Sequence, residues 1–213
     1  MRVPVTVVDY GMGNLFSVTR ALEYCGGDVT LAESADRVRT ANRLVLPGVG
    51  AFADGMANLQ ERDLIGALLD HVSSGKALLG ICLGMQLLLE SSEEFGFHRG
   101  LGVVPGEVRR LPIQQGVKLP NIGWHKLLPP EGRNLSVWDG TILAGMTTDQ
   151  TQYFVHSYAA YPSESSQWLS RTCYGDHWFC STLRKDNVSA CQYHPEKSGR
   201  VGLAVLERFL HCD

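Results

Sequence analysis

The chain has 213 residues, 44% of them hydrophobic and 19% charged, with a formal net charge of −3. That length and apolar content suit one domain with a sizeable core, expected to span 1–213. The slight acidity argues against a general nucleic-acid binder, which is usually basic, and no apolar run nears the ~20 residues that span a bilayer.

Residues 3–8 read as a nearly continuous apolar strand, as in a buried parallel sheet, with Pro4 tolerated near its start. Residues 15–25 have helical spacing, with Leu15, Val18, Leu22 and Cys25 on one side and Gly26-Gly27 as the stop. Short strands follow at 29–31 and 44–46, the second cut off by Pro47-Gly48. Residues 56–72 read as one long helix, with Leu59, Ile65, Leu68 and Leu69 as core positions. A buried strand at 77–81 then leads to a helix-like stretch at 85–90. The alternation predicts an α/β fold: a doubly wound, mostly parallel or mixed sheet with helices on both faces. The second half reads as strands at 103–111, 116–122, 152–161, 178–183 and 188–193, closed by a helix at 201–211. An antiparallel extension of the sheet fits this run.

The six cysteines, at 25, 82, 173, 180, 191 and 212, form no C-x-x-C pair, and no histidine pair has zinc spacing. Free thiols in a reducing cytosol are therefore expected, with no metal, no cofactor and no disulfide framework. The first strand starts at once, so no signal peptide is expected and the location is predicted to be cytoplasmic.

Gly80-Ile81-Cys82-Leu83-Gly84 joins the strand at 77–81 to the helix-like stretch. This is the cysteine form of a nucleophile elbow: a tight strand-to-helix turn that lifts one side chain clear of the sheet. The following helix N-terminus favours the reactive thiolate, and the backbone N–H of Leu83 is free to serve an oxyanion. A buried core cysteine between two packing glycines is the competing reading. Near the other end stands His194-Pro195-Glu196, after a second apolar run. A thiol nucleophile needs a base, and the base needs an orienting group; His194 and Glu196 are of both types. Pro195 biases His194 toward an extended backbone, so both side chains can point the same way. Gly11-x-Gly13 lacks the third glycine of a dinucleotide fingerprint, since position 16 is Phe, and reads as an ordinary turn.

With these residues the chain resembles the class I glutamine amidotransferases of the Cys-His-Glu type. More narrowly, it resembles the glutaminase subunits of imidazole glycerol phosphate synthases. The narrower likeness rests on Asp9-Tyr10-Gly11-Met12-Gly13-Asn14-Leu15, Leu46-Pro47-Gly48-Val49-Gly50-Ala51-Phe52, Gly80 to Gln86, Pro120-Asn121-Ile122-Gly123-Trp124, Tyr153-Phe154-Val155-His156-Ser157-Tyr158 and His194-Pro195-Glu196-Lys197-Ser198. The resemblance implies catalysis by Cys82, His194 and Glu196, with an oxyanion held by Leu83 and by Val49 or Gly50. It implies that Gln86, Glu94, His156, Ser157 and Tyr158 bind the substrate L-glutamine. The doublet Glu93-Glu94 leaves the register of the acid uncertain by one. It further implies no metal, and ammonia delivery to a (β/α)8-barrel cyclase subunit in a heterodimer, through a face that includes Asn14, Trp124 and Lys197. The cyclase would convert PRFAR to imidazole glycerol phosphate and an aminoimidazole ribotide in histidine biosynthesis. The family commonly has Asn after Trp124, where this chain has His125.

Three alternatives stay open on the sequence: a paralogous glutaminase that feeds a sugar-nucleotide amidating partner in surface-polysaccharide synthesis, a cysteine hydrolase or chaperone-like protein on the same sheet, and a flavodoxin-like binding module with an inert Cys82.

Overall fold

The structure is a computed structural model that describes residues 2–113 and 115–211; Cys212 lies outside them. The first half alternates: β1 (Val3–Val8), α1 (Leu15–Tyr24), β2 (Gly27–Ala32), α2 (Ala35–Thr40), β3 (Arg43–Leu46), α3 (Phe52–Glu61), α4 (Ile65–Ser73), β4 (Ala77–Ile81) and α5 (Leu83–Leu87). Strands dominate the second half: β5 (Leu89–Ser92), β6 (His98–Arg99), β7 (Val104–Arg110), β8 (Asn121–Lys126), β9 (Thr151–His156), β10 (Tyr158–Pro162), β11 (Trp168–Tyr174), β12 (His177–Lys185) and β13 (Val188–Cys191), followed by α6 (Gly199–His211).

The main sheet has seven strands in the order β11-β12-β13-β4-β3-β1-β2. The strands from β13 to β2 are parallel, and β12 and β11 extend the sheet antiparallel; the sequence predicts such an extension, though without β11. A four-stranded sheet, β10-β7-β5-β6, and the hairpin β8-β9 complete the fold.

Side chains alternate across the parallel strands. Val8, Leu44, Leu46 and Leu78 join one core with Val38, Leu59, Leu64 and Leu68 from the helices. Val5, Val7, Val45, Leu79 and Ile81 join the other with Val18 and Leu22 of α1 and Val205, Leu206 and Phe209 of α6. Burial on both faces explains why these strands read as unbroken apolar runs.

Several boundaries differ from the sequence reading. The helix expected at 56–72 is two helices. The chain breaks at Asp63, whose φ of 54° is left-handed. Leu64 is then fully buried, with its N–H on the Leu59 carbonyl at 2.9 Å. Leu69 is 37% exposed and Ile65 only partly buried, so Leu64 and Ala67 take the core positions expected of them. The helix expected at 85–90 ends at Leu87, and Glu90 lies in β5. There the carbonyls of Leu87, Leu88, Leu89 and Glu90 accept N–H groups from Leu101, Val104, Gly102 and Gly100 at 2.8–3.0 Å. That long-range pairing outcompetes a further helical turn. The strand expected at 116–122 starts at Asn121, and the strand expected at 152–161 is divided at Ser157. The sequence reading missed α2, which buries only Val38, and β11, whose buried Ser170 bonds Ser181 and Thr182 at 2.8 and 2.7 Å. Buried polar pairs of this kind hide an apolar alternation.

Candidate active site

β4 and β13 run parallel, with Cys191 opposite Ile81. The next residue, Cys82, donates its N–H to the Cys191 carbonyl at 2.8 Å. This rung brings residues 82 and 192–194 to one carboxyl edge of the sheet, where ligands bind in open α/β sheets. Cys82 has φ 54° and ψ −107°, a conformation that non-glycine residues rarely adopt. The flanking glycines serve close packing. A Cβ on Gly84 would stand 1.8 Å from the Leu46 carbonyl oxygen, and one on Gly80 would stand 2.9 Å from Leu88.

His194 is extended (φ −102°, ψ 93°), as a residue before proline should be. Its N–H bonds the Tyr153 carbonyl at 2.9 Å. The Ser198 hydroxyl donates to the His194 carbonyl at 2.7 Å and accepts the Tyr153 N–H at 2.9 Å. The segment is thus stitched to β9. The Nδ1 of His194 donates to Glu196 Oε1 at 2.8 Å, and the two side chains are 2% and 1% exposed. That bond leaves Nε2, which is buried with no hydrogen bond of ordinary geometry among the described residues. Burial pushes the imidazole down, but interaction with a Cys82 thiolate and with Glu196 outweighs it and raises His194 to about 10. A thiolate at Cys82 and the Glu196 carboxylate thus both act to hold a proton on His194.

A cavity of about 290 Å³ opens over Cys82, lined by Val49, Gly50, Leu83, Gln86, Glu94, Val155, His156, Ser157 and Tyr158. All but Val155 were singled out from the sequence. A cavity of about 270 Å³ lies at the opposite edge, beside Ala77 and Arg184, and its lining holds no cysteine or histidine.

Gln86 is buried, and its amide nitrogen donates to the Tyr158 carbonyl at 2.8 Å and to Gln192 Oε1 at 3.1 Å. Only its oxygen remains for a ligand. Of the acidic doublet, Glu94 faces the cavity and accepts the N–H of Phe52 at 2.7 Å, which caps α3. Glu93 points elsewhere, accepting the Arg110 N–H at 2.7 Å. His156 is held neutral: Nδ1 donates to the Tyr158 carbonyl at 2.9 Å and Nε2 accepts from Asn121 at 3.2 Å. Burial lowers its pKa to about 4. His125 donates to the other side of Asn121 at 2.7 Å. The histidine thus completes a polar chain into the site.

Around Cys82, the backbone N–H of Leu83 is occupied, donating to the Gly48 carbonyl at 3.3 Å. Val49 and Gly50 are exposed, and Gly50 has φ 112°. A Cβ on Gly50 would meet Met12 at 2.6 Å, so the 11–14 loop touches this segment. Asn14 is exposed and caps α1 through the Ser17 N–H at 3.2 Å. Trp124 is 53% exposed, edge-on to Tyr153 at 5.7 Å, and Lys197 is exposed one residue beyond Glu196.

Two buried residues that the sequence reading did not single out belong here. Gln192 is fully buried and directs its amide nitrogen to the Cys82 sulfur at 3.7 Å. It lies two residues before His194, and a polar residue ending an apolar strand is its only sequence signal. Tyr10, just after β1, is fully buried against Gly48.

The family profile described as Glutamine amidotransferase class-I matches residues 6–212. The imidazole glycerol phosphate synthase subunit HisH 1 of Legionella pneumophila (strain Lens) is 44% identical over 212 residues, 97% of this chain and 98% of that protein. The Arabidopsis thaliana chloroplastic protein named imidazole glycerol phosphate synthase hisHF is 44% identical over 208 residues, 97% of this chain but 34% of that protein. Among solved structures, that of PurLQS from Thermotoga maritima superposes with a TM-score of 0.75 at 18% identity, covering 99% of each chain. At that identity the likeness is one of fold.

Proposed function

The chain belongs to the class-I glutamine amidotransferases, and within them to the HisH subunits of imidazole glycerol phosphate synthase, and on that premise we propose how its residues release ammonia from glutamine for histidine biosynthesis. The observation that carries the proposal is the buried His194–Glu196 pair against Cys82, which itself lines a cavity with Gln86, Glu94 and His156. The Cys82 thiolate attacks the side-chain carboxamide of glutamine. His194, as the imidazolium facing that thiolate, gives its Nε2 proton to the departing nitrogen, and ammonia leaves. The neutral imidazole then takes a proton from water, which cleaves the γ-glutamyl thioester and frees glutamate and the sulfur. Glu196 fixes the tautomer and stabilises the charge. Glu94, with one oxygen committed to Phe52, has the other for the substrate ammonium; the Gln86 oxygen and the backbone at Ser157 and Tyr158 hold the remainder.

The tetrahedral oxyanion needs donors, and Leu83 N–H is engaged by Gly48. A peptide is planar, with its C=O and N–H on opposite sides. Rotation of the Gly48–Val49 peptide therefore frees Leu83 and re-aims the Val49 N–H in one motion. We take this rotation to be the step that a partner controls. The partner is a (β/α)8-barrel cyclase subunit, which receives the ammonia and converts PRFAR to imidazole glycerol phosphate and an aminoimidazole ribotide. It would dock on the face that carries Asn14, Trp124 and Lys197. A relative whose name joins the two subunits, and of which this chain matches 34%, supports a cyclase partner. The cytoplasm is the proposed place of action, since a catalytic thiol needs reducing surroundings; no helix among the described residues is long and apolar enough to cross a membrane.

The test is glutamate formation by the chain mixed with a cyclase subunit and its nucleotide substrate. Turnover that depends on Cys82 and rises with the cyclase is expected. No turnover under any of these conditions would reject the reading.

A further inference from the structure

Tyr10 is 0% exposed, and its hydroxyl has no hydrogen-bond partner among the described residues. Burying a hydroxyl without a partner is costly, so a group of this kind calls for an explanation. The hydroxyl lies where Gly48 passes: a Cβ on Gly48 would stand 2.2 Å from it and 2.9 Å from the Leu83 Cβ. Gly48 is thus a glycine because three elements converge there. Burial, with a further contribution from the Cys82 charge, pushes the phenol far above its ordinary range, so the hydroxyl keeps its proton and stays a donor.

Gly48 is buried, and its carbonyl has one donor among the described residues, the Leu83 N–H at 3.3 Å. When the Gly48–Val49 peptide rotates and leaves that N–H to an oxyanion, the carbonyl loses this donor. Gly48 then carries a buried acceptor without a donor, and the Tyr10 hydroxyl packed against Gly48 is a buried donor without an acceptor. We propose that Tyr10 is a positioning residue: its hydroxyl takes over the Gly48 carbonyl once Leu83 lets go, and so stabilises the form of the 47–50 loop that leaves the oxyanion hole open. Tyr10 touches neither substrate nor sulfur in this role. It acts through the loop, and it favours the active form only. The inference rests on the proposed glutaminase reading and on rotation at Gly48.

The experiment uses the full chain with a cyclase subunit and that subunit's nucleotide substrate. Glutamate formation is measured alone and in the complex for the wild type and for Tyr10→Phe, with thermal unfolding of both. Tyr10→Phe deletes one oxygen and keeps the packing. The expected result is a ratio of activated to basal turnover about tenfold below that of the wild type, as for a buried carbonyl left without its donor. The melting temperature should be unchanged or higher, because an unsatisfied buried hydroxyl is gone. An unchanged ratio overturns the proposal. So does an equal loss in both states with a lowered melting temperature, which would mark Tyr10 as merely structural. The wild-type arm reports on the underlying reading separately: a wild type that the cyclase does not accelerate has no switch to stabilise, and the latch falls with it.

Discussion

Glu196 accepts the Nδ1 proton of His194 at 2.8 Å in a pair whose side chains are 1% and 2% exposed. A charged pair this deeply buried ties catalysis to stability. Removing one partner strands the other charge in a medium that cannot solvate it.

Glu196→Ala should therefore fail in two ways. Glutamine turnover should drop, because the imidazole loses its orienting acceptor and the carboxylate that helps hold its proton. The fold should also lose about 3 kcal/mol, the usual cost of breaking a buried pair. Urea denaturation and steady-state kinetics on the same preparation read both quantities. A variant with wild-type stability and turnover would show that the pair serves neither purpose.

Cys82→Ala should abolish glutamine hydrolysis with little change in stability, since the side chain is small and 7% exposed. His194→Ala should lower kcat roughly 10²–10⁴-fold, the range for a general acid–base. Alanine at Cys25, Cys173 or Cys180 should leave the chemistry intact, because none of these lines the cavity. Residual turnover in Cys82→Ala, measured as glutamate release, would remove Cys82 from the role of nucleophile.

The isolated chain should be nearly inactive and the cyclase complex active. The bond from Leu83 N–H to Gly48 occupies an oxyanion donor. One missing donor costs about 10²–10³ in rate. Assays of the chain alone and of the complex with the cyclase's nucleotide should differ by at least that factor. Full activity of the chain alone would mean that Leu83 is available without the loop rotation.

Acid should destabilise the fold through His156. Its ordinary pKa of 6.5 is lowered to about 4 by burial, so the unfolded chain binds the extra proton between those values. Stability must then fall as pH drops from 6.5 toward 4, by about 1.4 kcal/mol per unit at most, and level off below. His71 and His125 are lowered in the same direction, also first by burial, and add to the slope. Denaturation at pH 7 and pH 5 should show a smaller loss for His156→Gln than for the wild type. Equal losses would assign the acid sensitivity to other groups.

The sequence by itself determined the α/β class, the elbow at Cys82, and the pairing of that elbow with His194 and Glu196. These are local or strongly periodic signals: a buried strand is apolar throughout, and an elbow packed this closely has room only for glycine on either side of its cysteine. The cavity residues were legible for a different reason, because their motifs resemble a known family. Only the tertiary structure decided the rest. It split the helix at 56–72, because burial of Leu64 and the left-handed Asp63 outweighed a continuous pattern. It converted Glu90 from helix to strand, because residues 100–104 supplied backbone partners from a distance. It separated Glu94 from Glu93, which differ only in the direction each side chain takes from one strand end. It also brought Gln192 to the Cys82 sulfur and the Tyr10 hydroxyl to Gly48. Buried polar groups of this kind leave almost no mark in a sequence, since what a buried hydroxyl or amide does is set by neighbours that the chain supplies from far away.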